Sequence, residues 1–88
     1  MFNEDGVPGF LSFLSPPSPV VTDVDALPWE PGLIAVLDCG DRPRVGEKLQ
    51  PLMDRVPTLD IDHHLANPLF GSAGNWADAS ASATGELV

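Results

Sequence analysis

Leu33-Ile34-Ala35-Val36-Leu37-Asp38-Cys39-Gly40-Asp41 opens the stretch that decides the fold, and Val56-Pro57-Thr58-Leu59-Asp60-Ile61-Asp62-His63-His64 closes it. Leu33 to Leu37 is an unbroken apolar run between Pro31-Gly32 and Gly40. Such a run suits a strand covered on both faces, as in a parallel sheet. Gly46 to Val56 reads as an amphipathic helix, because Leu49, Leu52, Met53 and Val56 recur at three- and four-residue steps. Val56 to Ile61 reads as a second strand, with Pro57 tolerable near its start. Strand, helix and strand within about 30 residues make a βαβ unit with a right-handed crossover. The predicted class is α/β, with a partial parallel sheet built on that unit.

On the C-terminal side, Asn67 to Gly74 is a loop rich in Gly, Pro and Asn, and Asn75-Trp76-Ala77 is a short extended piece. Ser80 to Val88 reads as the start of a helix, with Ala79-Ser80-Ala81-Ser82-Ala83 as its small-residue N-terminus rather than a linker. On the N-terminal side, Pro8, Pro16, Pro17, Pro19, Pro28 and Pro31 crowd the first 31 residues. Phe10 to Leu14 suits one or two helical turns stopped by Ser15-Pro16-Pro17, and Val20-Val21-Thr22 a short strand before an acidic turn at Asp23 and Asp25. This part has a poor claim to be a domain of its own. No internal repeat is visible.

The chain has 88 residues, room for one modest core. Its 13 acidic and 4 basic residues give a net charge of −9, which argues against binding long duplex nucleic acid. A small anionic substrate remains compatible if bound cations supply the positive charge locally. Cys39 is the sole cysteine, so no disulfide closes within the chain and a reducing cytoplasm is the easier fit. The N-terminal Met1-Phe2-Asn3-Glu4-Asp5 is acidic where a secretory signal is basic, and no apolar run is long enough to span a membrane. The expectation is a soluble cytoplasmic protein with no membrane partner.

Both strands end in metal-capable residues, Asp38-Cys39-Gly40-Asp41 and Asp62-His63-His64. Ligands of open parallel sheets bind beyond the carboxyl ends of the strands, and neighbouring strands lie about 4.8 Å apart. Adjacent strands would therefore bring Asp38 and the His pair to one metal site. A carboxylate can bridge two divalent cations, and neutral imidazole adds a ligand nitrogen. The plainer readings stand beside this: an Asp after a buried strand is often a loop or cap residue, and paired histidines are often surface residues. Cys39 is read as a packing residue, since Asp38 beside it disfavours a thiolate. Trp29 and Trp76 are read as core or rim aromatics rather than base-stacking platforms.

Val36-Leu37-Asp38-Cys39-Gly40-Asp41-Arg42 with Val45-Gly46-Glu47 resembles the second signature of the DHH phosphoesterase family. Ile61-Asp62-His63-His64, with Asn67 and Phe70-Gly71, resembles the signature that names that family, and Asn75-Trp76-Ala77-Asp78 with Ala81 to Glu86 resembles the segment after it. Within the family the likeness is greatest to the bacterial oligoribonuclease and phosphoadenosine-phosphate phosphatase branch (NrnA-like), with a family II inorganic pyrophosphatase or a non-catalytic nucleotide-binding module as alternatives. The resemblance implies a Mn²⁺-dependent phosphoesterase, with Mg²⁺ as the alternative metal, acting on short RNA oligonucleotides or small nucleotides. It implies that Asp38 bridges two metals, that His63 ligates one of them, that His64 stands near the substrate phosphate, and that Asp62 orients a histidine. Asn67 and Ser82 match recurrent family positions without an assigned role. The family's first motif, an Asp-x-Asp preceded by His, has no counterpart, since no His precedes His63. Neither the last metal-binding Asp nor the C-terminal substrate domain is matched. The expectation is a fragment of the DHH N-terminal catalytic domain, weak in catalysis by itself.

Overall fold

The structure, a computed structural model, describes residues 1–88. It divides into two compact units, Met1–Glu30 and Pro31–Val88. In the first, Phe2 and Val21 form a single parallel bridge, with the Asn3 amide donating to the Val21 carbonyl at 3.0 Å. The expected strand at Val20 to Thr22 is therefore reduced to one bridging residue. Phe10 to Leu14 gives only a 3-10 turn over Gly9–Leu11, and a second turn spans Val24–Ala26. The acidic turn is real: Asp23 accepts from the Asp25 amide at 3.0 Å. No residue of this unit is buried, so it has compactness without a core.

The second unit is a small α/β domain. Strands β1 (Ile34–Leu37), β2 (Thr58–Asp62) and β3 (Gly74–Ala77) form one sheet in that order, all parallel. Ile34 is in register with Thr58, and Asp62 with Ala77. Pro57 lies just outside β2 because it has no N–H to give; its carbonyl instead accepts from the Ile34 amide at 2.9 Å.

The helix expected over Gly46 to Val56 is much shorter. A 3-10 turn spans Arg42–Val45, Gly46 follows at φ 94°, and helix α1 covers only Gln50–Met53. Pro51 explains the late start, since proline fits a helix only in its first turn. The Arg42 guanidinium pairs with Asp54, tying the turn to the far end of α1. The inward residues are those of the periodicity: Leu49, Leu52, Met53 and Val56 are all buried, and with Ile34, Val36 and Ala81 they are the apolar core. Full burial of an aliphatic side chain of this size contributes about 1.5–3 kcal/mol.

β1 departs from the two-sided burial expected of it. Ile34 and Val36 are buried while Ala35 and Leu37 are exposed, so one face of the strand is covered. On β2 the same alternation buries Thr58, Asp60 and Asp62 and leaves Leu59 and Ile61 half-exposed. The inward face of the central strand is therefore polar. Helix α2 (Thr84–Leu87) begins four residues later than expected. Asp78 explains the delay, because its Oδ1 accepts from both the amide (3.0 Å) and the hydroxyl (2.5 Å) of Ser80 and folds that segment into a turn. Glu86 then reaches back to the amide and hydroxyl of Ser82. No helix is long and apolar enough to cross a membrane.

Candidate metal centre

β1 and β2 are hydrogen-bonded neighbours, so their carboxyl ends lie side by side. The chain leaves β1 at Asp38, whose φ of 58° is left-handed, a conformation that Asp adopts more readily than most residues. Asp38 Oδ1 lies 3.2 Å from His63 Nε2, and the buried Thr84 donates its hydroxyl to the same oxygen at 3.0 Å. The rings of His63 and His64 are 4.8 Å apart between centroids. One ligand atom from each of Asp38, His63 and His64 falls within 4.8 Å of the others. Tetrahedral ligands about 2.1 Å from a cation stand about 3.4 Å apart, so the three must draw together by about an ångström to share one ion. Two imidazoles and a carboxylate suit divalent Mn, Zn or Fe better than Ca. The residues present therefore fit a metal.

Beside them an open cleft of about 410 Å³ runs between Asp38, His63 and the Ser82–Gly85 segment. His64 is fixed from two directions. Its Nδ1 lies 2.5 Å from Asp62 Oδ1, and its ring packs on Gly40, where an added Cβ would stand 3.1 Å from His64 Cβ. Asp62 is fully buried; burial pushes its carboxyl up, yet the hydrogen bonds from His64, Asn67 and the amides of His64 and His63 outweigh burial and hold it below the usual carboxylate range. Asp60, also fully buried, goes the other way: burial raises it, the Asn67 amide lowers it in part, and the Asp62 charge adds to the rise. Asn67 Nδ2 joins the two carboxyls, at 2.7 Å from Asp60 Oδ2 and 2.8 Å from Asp62 Oδ2.

The structure thus gathers Asp38, His63 and His64, with Asp62 behind His64. Asp41 is not gathered: it is exposed at the start of the Arg42–Val45 turn, and its carbonyl accepts from Cys39 Sγ at 3.0 Å. Cys39 is half-buried, and Trp29 and Trp76 are exposed rather than core residues. Thr84 and Asp60 are contributors that sequence reasoning missed. Only the period-two alternation of β2, which puts Asp60 on the face of Asp62, signalled one of them. No protein-family model matches the chain, and no curated protein matches it.

Proposed function

We propose that this chain carries part of the metal site of a phosphoesterase that hydrolyses short oligoribonucleotides or nucleotide phosphates. The observation that supports the reading is the meeting of Asp38, His63 and His64 at the carboxyl edge of two adjacent parallel strands. In this reading Asp38 and His63 hold Mn²⁺, or Mg²⁺ in its place. Bound there, the metal supplies charge neutralisation at phosphorus and a lowered pKa for water. His64, steadied by Asp62 and Gly40, faces the substrate phosphate. With 4 basic residues against 13 acidic ones the chain offers a phosphate little positive charge of its own, so in this reading the phosphate is held through the metal. Long duplexes gain too few contacts to compete.

Asp38 and His63 alone leave a two-metal set incomplete, so this chain by itself binds metal weakly and turns over slowly. Hydrolysis of short oligoribonucleotides and nucleotide phosphates is measured with Mn²⁺ and after chelation, for this chain and for a longer polypeptide that adds a His and an Asp-x-Asp upstream. Metal-dependent hydrolysis by the longer polypeptide, lost on substitution of Asp38 or His63, is the expected result. Absence of hydrolysis in both, with Mn²⁺ present, sinks the reading.

A further inference from the structure

We propose that Asn67 and Asp60 are positioning residues that act through Asp62 to select the His64 tautomer in which Nδ1 carries the hydrogen and Nε2 is free. The proposal deepens the metal-site reading and rests on it only for what Nε2 then does.

The geometry is directional. An ionised Asp62 only accepts, so the imidazole nitrogen 2.5 Å from it, Nδ1, is the donor. The other Asp62 oxygen is held by Asn67 Nδ2, which prevents the carboxylate from rotating away from the ring. Asn67 has two amide hydrogens, and the second goes to Asp60 Oδ2. Its own oxygen accepts from the Leu69 amide at 2.7 Å, closing a local turn two residues on. A flipped amide would press oxygen against two carboxyls and lose the Leu69 bond. Asn67 is therefore locked with its nitrogen toward the acids.

Asp60 has no other visible task. It is fully buried, Oδ1 has no partner, and the Asn67 amide is the sole side-chain group on Oδ2. A buried oxygen left without a partner destabilises a fold. An apolar residue on β2 would be the more stable choice, so stability alone does not account for an aspartate there. A fixed acceptor for the second Asn67 hydrogen does account for it.

The test is nitrogen-15 NMR of the histidine rings in the full chain, with chelator present and at a pH where imidazole is neutral. In the wild type, His64 is expected in the Nδ1–H form, with hydrogen-bond couplings from Asn67 Nδ2 to the carboxyl carbons of both Asp60 and Asp62. Asp60→Asn, whose amide oxygen still accepts, is expected to keep that tautomer. Asn67→Ala is expected to raise the Nε2–H to Nδ1–H ratio about fivefold, the scale of one lost hydrogen bond. An unchanged ratio in folded Asn67→Ala overturns the proposal. If that variant does not fold, the wild-type couplings decide: coupling to both carboxyl carbons supports it, and absence of either overturns it. Because metal is excluded, a changed tautomer ratio in Asn67→Ala leaves this proposal standing even where hydrolysis is absent from both polypeptides and the phosphoesterase reading falls.

Discussion

Asp38 and His63 reach each other from the tips of two adjacent parallel strands, Oδ1 to Nε2 at 3.2 Å. Neither residue is near the other in sequence. Their meeting depends on β1 and β2 pairing in parallel, with Leu37 in register with Ile61. It also depends on Thr84, which holds Asp38 Oδ1 from a third element.

Removal of either side chain takes a donor from the cluster. Asp38→Ala and His63→Ala are each expected to weaken Mn²⁺ binding at least about tenfold. Calorimetric titration measures this directly. The wild-type melting temperature should rise with Mn²⁺ and that of each variant should rise less, since a ligand stabilises the state that binds it.

Asp62→Asn tests the hydrogen bond behind His64. An amide can turn its oxygen to Asn67 and its NH₂ to His64, and then Nδ1 must accept. The His64 tautomer is expected to invert, while the fold survives because the new side chain has the same shape. Ring nitrogen shifts report the tautomer, and circular dichroism reports the fold.

Acid and alkali should act oppositely on the two buried carboxyls. Asp62 is held below its ordinary value, so its stabilisation is complete above the unfolded value of about 3.9 and is lost as pH falls through its folded pKa. Asp60 is raised, so the folded state favours its protonated form and stability falls as pH rises through its folded pKa. Asp60→Asn should therefore gain on the wild type as pH rises from 4 to 8. A melting-temperature difference that is flat or shrinking over that range would contradict the direction of the Asp60 shift.

Two glycines separate fold from site. A Cβ on Gly71 would collide with backbone at the Gly74 carbonyl and the Asp60 amide, and with the Asn75 side chain. Gly71→Ala should cost about 1–3 kcal/mol of stability, read from denaturant midpoints. The nearest atoms to a Cβ on Gly40 belong to the His64 side chain, from 3.1 Å. Gly40→Ala should cost less stability than Gly71→Ala, since a side chain and its hydrogen bond to Asp62 yield rather than backbone, while the displaced His64 shows in its ring nitrogen shifts.

Much of the second unit was legible in the sequence, for physical reasons. Leu33 to Leu37 announced a strand through its apolar run, Val56 to Ile61 was read as a second, and the steps from Leu49 to Val56 picked the residues that turn inward. What the pattern could not weigh was competition. Pro51 delayed the start of α1, and the Asp78 turn delayed that of α2. The apolar run of β1 likewise did not say whether two faces or one would be covered. The site shows the same division. Asp38 and His63 stand where strand-end logic put them, but the buried link from Asp60 through Asn67 to Asp62 was out of reach. It joins residues whose identities signal nothing until their side chains share a space.

The left-handed turn at Asp38 bears on how such a site can be inherited. Asparagine tolerates that backbone nearly as well as aspartate, whereas a β-branched residue is penalised there. Asp38→Asn is also reachable by one nucleotide change. A lineage can thus shed the carboxylate in a single step and keep the loop intact, leaving a descendant with the same shape and no grip on a cation.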